Sequence, residues 1–297
     1  TKALNILANQ DEYDINMLAM PGVNYATHPL IANAGIDMCE DRGDAFFIMD
    51  LNTVDASVNT AISNVSGLDT NYAAVYYPWI KVLDSSTNVP VMVPPSVVVP
   101  GAIAQSDRLQ AEWFAPAGLN RGILGNVLEA KIRLNQAERD KLYDAKINPI
   151  ATFPQTGVCI WGQKTLQERS TALDRINVRR LLLTVKKFIA SSSRYLVFEQ
   201  NTTATRNRFL NIVNPYLESV QQRQGLFAFR VQMDESNNTP DVVDRNQLVG
   251  AIYLQPTKTA EFIILDFNIQ PTGATFDGGG GSGGAGGAGG AGGGGGY

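Results

Sequence analysis

An α/β fold, with mixed sheets covered by helices, is predicted by three features of the 297-residue sequence. The first 83 residues alternate strand-like and helix-like hydrophobic periods in the order β-α-β-α-β, and parallel strands need crossovers of that kind. AFFIMD (45–50) is a continuous apolar run, as expected of a strand covered on both faces. A hydrophobic fraction of 44% with 18% charged residues supplies a core that a disordered chain lacks.

In chain order, INMLAMPG (15–22) reads as a strand ending in a Pro-Gly turn, and HPLIANAGIDMCEDRG (28–43) as a helix stopped by Gly43. After the 45–50 strand, VDASVNTAISNVSGL (54–68) has helical spacing, and AAVYYPWIKVL (73–83) returns to aromatic and β-branched residues. VPGAIAQSDRLQAEWF (99–114) predicts a helix, and NQAERDKLYDAKI (135–147) predicts another, with Asn135 and Glu138 spaced as a capping box. INPIATFPQTGVCIWGQKT (147–165) predicts two short strands around a Pro-Gln-Thr-Gly turn. In 176–189, Val178, Leu181, Leu182, Val185, Phe188 and Ile189 share one helical face, leaving Arg175, Arg179, Arg180, Lys186 and Lys187 for the other. Residues 203–224 repeat the helical period with a kink or break expected at Pro215 and a stop at Gly225. Strands are expected at 227–233, 248–256 and 261–271, and the Gly- and Ala-rich tract that follows predicts a flexible coil. The resulting division is 1–146, 147–276 and a tail at 277–297.

Several function classes fall away on composition. A net charge of −4 gives no overall field for nucleic acid or anionic lipid, and prolines 94, 95 and 100 break the longest apolar run, so no nucleic-acid partner and no membrane insertion are expected. Two cysteines, Cys39 and Cys159, and a single histidine, His28, make a disulfide framework or a zinc site implausible and suit a reducing site of synthesis. Gly157–Thr165 imitates a phosphate-binding loop, but Gln163 intrudes before Lys164 and the intervening residues are those of a buried strand. His28 precedes Pro29 at a helix start, a capping position rather than a triad member. The carboxylates Glu40, Asp41, Asp44, Asp50 and Asp55 admit a nucleotide- or metal-dependent enzyme with a site near the Asp50 strand end, against a plainer reading as caps. Asp234, Asn238 and Asp241 lack the glycine of a cation loop. No catalytic residue, metal or cofactor is assigned.

Charge is unevenly placed. Residues 1–55 hold nine acids and two bases, whereas 164–208 hold ten bases and three acids. Opposite patches attract copies head to tail, or they neutralise each other between layers of one chain; the sequence leaves both open.

Six runs, taken together and in order, resemble the tail sheath proteins of contractile-tailed bacteriophages: DEYDINMLAMPGV (11–23), RGDAFFIMD (42–50), INPIATFPQTGVCIWGQKTL (147–166), INVRRL (176–181), VFEQN (197–201) and TAEFIILDF (259–267). The resemblance implies a non-catalytic virion subunit, similar to those of contractile injection systems and R-type bacteriocins. It implies partners too: further copies in a helical stack of rings, a tail tube protein, and baseplate and tail terminator proteins. Assembly in the host cytoplasm and a place in the virion tail follow. It further implies a terminal strand exchanged between subunits, here through Phe262, Ile264, Phe267 and Ile269, with Arg175, Arg179, Arg180, Lys186 and Lys187 as charged assembly contacts. The N-terminal donor arm of such proteins has no counterpart, so an upstream segment is expected, and the Gly-Ala tail also departs from the pattern.

Overall fold

The computed structural model describes residues 2–261. Its elements run α1 (Lys2–Leu7), β1 (Met17–Asn24), α2 (Pro29–Arg42), β2 (Phe46–Asp50), α3 (Val58–Val65), β3 (Ala73–Tyr77), β4 (Ile80–Leu83), β5 (Pro90–Val93), α4 (Val99–Leu109), β6 (Val127–Ala130), α5 (Gln136–Asp144), β7 (Ile147–Phe153), β8 (Gly157–Ile160), α6 (Ile176–Ser193), α7 (Thr203–Gln222), β9 (Leu226–Gln232), α8 (Pro240–Asp244) and β10 (Ala251–Pro256). The expectations placed on Phe262, Ile264, Phe267, Ile269 and the Gly-Ala tract lie outside the described residues.

The central sheet has the order β1-β2-β3-β7-β8, parallel up to β7 and closed by antiparallel β8. Every residue of β2 and β3 is buried, and the pleat divides them. Phe47, Met49, Val75 and Tyr77 enter one core with α2, α3 and α5, while Phe46, Ile48, Ala74 and Tyr76 enter another with α4 and the start of α6. A third core joins α6 and α7 to the two-stranded β9–β10 ribbon.

The βαβ order is the expected one, and several details differ. β1 continues through Pro21-Gly22 with a register shift between Ala19 and Asn24, because an edge strand loses little where proline cannot donate. The 73–83 run is two strands in different sheets: β4 leaves after Pro78 to form an antiparallel sheet of order β5-β4-β6. The 99–114 helix stops at Leu109. α7 is continuous across Pro215, and its end is set by Gln224 at φ +64°, with the Gly225 N–H bonded back to the Val220 carbonyl. Helices α1 and α8 and the β5-β4-β6 sheet have no counterpart in the sequence reading. Gly43 ends α2 in the left-handed region as expected, and the Asn135–Glu138 capping box is formed in both directions.

Asn148 ties these layers together. Fully buried in β7, it donates to the carbonyls of Val75 (3.1 Å) and Lys164 (2.8 Å) and accepts from the Lys164 N–H (2.6 Å). A Cβ at Gly162 would lie 3.0 Å from the Asn148 Oδ1 and 2.9 Å from the Tyr143 ring, so this close pass requires glycine. Asn148→Ala is expected to cost about 3 kcal/mol in chemical denaturation, since it removes the partner of one buried and two part-buried backbone groups. Gly162→Ala should destabilise through the same contact.

Candidate assembly surfaces

The Asp50 strand end is a buried cap. Asp50 is 3% exposed; its carboxylate accepts from the Ser96 N–H (3.1 Å) and hydroxyl (2.5 Å), closing the turn that leads into α4. Burial pushes the Asp50 carboxyl up to about 6, against the two Ser96 hydrogen bonds. Of the other carboxylates, Asp44 pairs with Arg42, Asp55 with Lys131 (3.4 Å), and Glu40 accepts from Thr70, while Glu40, Asp41 and Asp44 line a groove away from Asp50. The Lys164 ammonium of the imitation phosphate loop donates to the Tyr143 carbonyl at 2.7 Å, and the exposed His28 bonds Thr27 at 2.7 Å. These groups do not converge on one site.

The cations of α6 are mostly spent inside the chain. Its first half is buried all round, Arg179 and Arg180 included, at 3% and 6% exposure. The expected two-faced helix therefore holds only for its second half, because the 1–166 region covers the face assigned to solvent. Arg180 forms a bidentate pair with Asp107 (2.5 and 2.8 Å). Arg179 lies over the Tyr72 ring, 3.5 Å from its centroid, and burial lowers its pKa against the opposing influence of Tyr72 and Glu40. Arg175 pairs with Asp174 at 3.0 Å. Lys187 donates to Asp14 (2.6 Å), the Ile15 carbonyl (2.6 Å) and Asn16 (2.5 Å), which holds the Asp14 carboxyl below its ordinary range. Lys186 alone of the five is exposed with no ion pair among the described residues.

From the other side, buried Arg42 grips the strap between α1 and β1, donating to the Leu7 and Tyr13 carbonyls and to Asp44. Arg194 adds a pair with Asp11 at 2.6 Å. Asp11, Asp14 and Asp44 of the acidic N-terminal stretch thus pair with Arg194 and Lys187 within the chain, a partial neutralisation that leaves both readings of the charge pattern open. Beside the strap lies a groove of ≈ 1260 Å³, flanked by Lys186, Ile189, Tyr216, Ile252 and Leu254.

The β9–β10 ribbon packs Phe229, Val231, Ile252 and Leu254 inward, while Phe227 and Tyr253 are 75% and 58% exposed. Among the described residues neither outer edge of this ribbon is paired, leaving two rows of backbone donors and acceptors.

The family described as phage tail sheath protein central domain matches residues 1–166, and phage tail sheath C-terminal domain matches 168–270. The tail sheath protein of Enterobacteria phage T4 is 37% identical over 214 residues, 72% of this chain and 32% of that protein. That of Vibrio phage KVP40 is 35% identical over 75% of this chain and 33% of that protein. The chain thus spans about a third of the length of these relatives. Among solved structures, the sheath complex of an extracellular contractile injection system in its contracted state has a TM-score of 0.77 at 28% identity, covering 89% of this chain and 74% of that one. The anti-feeding prophage helical sheath, also contracted, has a TM-score of 0.73 at 26% identity over 89% of this chain and 73% of that one.

A carboxyl whose folded pKa is raised stabilises the fold while protonated, and that contribution fades as pH climbs from about 4 through about 6. Asp50→Asn should remove this component, on the order of 3 kcal/mol, flattening the stability profile between pH 4 and 7 in urea titrations. Lys187→Met should cost about 1 kcal/mol at low salt, and less at high salt, where the Asp14 pair is screened.

Proposed function

Because the chain belongs to the phage tail sheath family, we propose that it is a structural subunit of a contractile tail sheath. It polymerises as a helical stack of rings around a tail tube and shortens to drive the tube through the host envelope for genome delivery. Its partners are further copies of itself, the tube protein, and the baseplate and tail terminator proteins; it is assembled in the host cytoplasm and resides in the virion tail. The observation carrying this reading is the match of both sheath domains across residues 1–270. Shared architecture with two contracted sheaths adds to it.

The geometry suits that work. A subunit that rotates and slides as a rigid body must keep its own layers locked while its contacts with neighbours change. Asn148, Arg42 and the Arg180–Asp107 pair do the locking. The open edges of β9–β10 offer hydrogen bonds to an extended segment of a neighbour, and we assign that segment to 261–271 through Phe262, Ile264, Phe267 and Ile269. Lys186 is the member of the α6 set left for a contact between subunits. The enzyme alternative has no support in Asp50, whose two oxygens are both engaged by Ser96.

Purified protein, alone and with the tube protein, should form hollow tubes or stacked rings in negative-stain electron microscopy. Truncation after Thr259 should abolish these polymers while leaving a cooperative thermal transition, whereas removal of 278–297 alone should spare them. A chain supplied with an upstream arm that still stays monomeric with tube and baseplate proteins present would sink the sheath reading.

A further inference from the structure

The VFEQN run between α6 and α7 is divided by the structure into an anchored half and a displayed half. Asn201 donates to the Gln247 carbonyl (2.8 Å) and accepts from Nε of buried Arg206 (3.0 Å), and Thr202 caps α7. Just before this anchor, Tyr195, Val197 and Phe198 are 84%, 59% and 102% exposed. Phe198 also sits at φ +71°, a left-handed conformation that costs a bulky side chain about 1 kcal/mol or more. Among the described residues no packing offsets that strain, since Phe198 is 102% exposed. Three large apolar side chains held outward on a tethered loop are a binding feature.

A complementary surface lies elsewhere on the same chain. Between α1 and α2 is a groove of ≈ 330 Å³ with an apolar floor of Leu4, Ala34 and Met38 and the carboxylates of Asp37 and Asp41 at its lining. Leu30, 84% exposed, extends the same α2 face one turn further. The displayed loop is flanked by cations: Arg194, shared with Asp11, and Arg208, whose contact with Glu199 is a loose 3.9 Å.

We propose that the Tyr195–Phe198 knob docks into the α1–α2 groove of a second copy of this chain, with Phe198 on the apolar floor and Arg208 facing Asp37 and Asp41. The occupant follows from complementarity of both kinds, apolar knob to apolar floor and cations to carboxylates. Knob and groove are different patches, so one copy's knob in the next copy's groove is a heterologous contact, which builds rings or helices wherever the rotation between copies is not two-fold. It rests on the sheath reading only in that copies of the chain meet.

A photoreactive benzoylphenylalanine placed at position 198 in the full chain tests this directly, with and without tube protein. The expected product joins two copies, and mass spectrometry locates the second end within residues 2–42. A cross-link to the tube protein or to another region, or no intermolecular product, overturns the proposal. Phe198→Ala should raise the critical concentration for sedimentable polymer at least tenfold with the melting temperature unchanged or higher. Arg208→Glu and Asp41→Lys should each weaken assembly and together restore it; polymers of Phe198→Ala indistinguishable from wild type overturn the docking while leaving the sheath reading intact. A chain that never polymerises even when supplied with an upstream arm counts against the sheath reading, and the cross-link still decides the docking.

Discussion

One amide side chain holds the two halves of this molecule in register. Asn148 bridges three stretches of backbone: it links β3, its own strand β7 and the extended residues around Lys164. Those residues then pair with the approach to α6, through the Lys164–Arg175 bridge, the Thr165 N–H to Asp174 bond and the Ile176 N–H to Gln163 bond (2.8 Å). The approach to α6 is thereby tied to the central sheet, and the Arg180–Asp107 pair and the apolar contacts of Ile176, Leu181 and Leu183 hold the helix beyond it. Buried amides of this kind are costly unless every group is satisfied. Here satisfaction requires the missing Cβ of Gly162, so the asparagine and the glycine act as one unit. The two family domains meet at residue 167, just beyond this junction.

What the sequence discloses follows from how local each determinant is. The Asn135 capping box, the Gly43 stop and the 147–160 hairpin depend on residues within a few positions, and each forms as read. Burial of β2 is legible because five successive apolar or capping residues leave no solvent face. The burial of Arg179 and Arg180 is not, since it depends on Tyr72 and Asp107, about 70 to 110 residues away in the chain, and periodicity alone reads any arginine as a solvent face. The split of 73–83 was signalled by Pro78 and obscured by the continuous aromatic run around it. The display of Phe198 has no local signal: a phenylalanine beside valine reads as core until the backbone turns it outward.

The fate of the charges decides what kind of contacts a polymer of this chain can use. Of the α6 cations, Arg179 and Arg180 are interior, Arg175 and Lys187 are held by acids of their own chain, and Arg194 beyond the helix end is held by Asp11. A neighbour seeking those cations would first have to displace Asp14 or Asp11, exchanging one exposed pair for another with a net gain near zero. Ion pairs of that sort set the strap's position and little else. In the proposed assembly, adhesion between subunits would then fall to groups that gain by leaving water, namely the open ribbon edges and the outward aromatic loop. These two differ in a way that matters for a contractile lattice. An added strand is tethered through many backbone bonds and tolerates rotation about its connecting segment, whereas an apolar knob holds a single seat and is lost once displaced by its own width. A lattice with both has one contact that persists through rearrangement and another able to belong to one arrangement only, the minimum needed for two stable states.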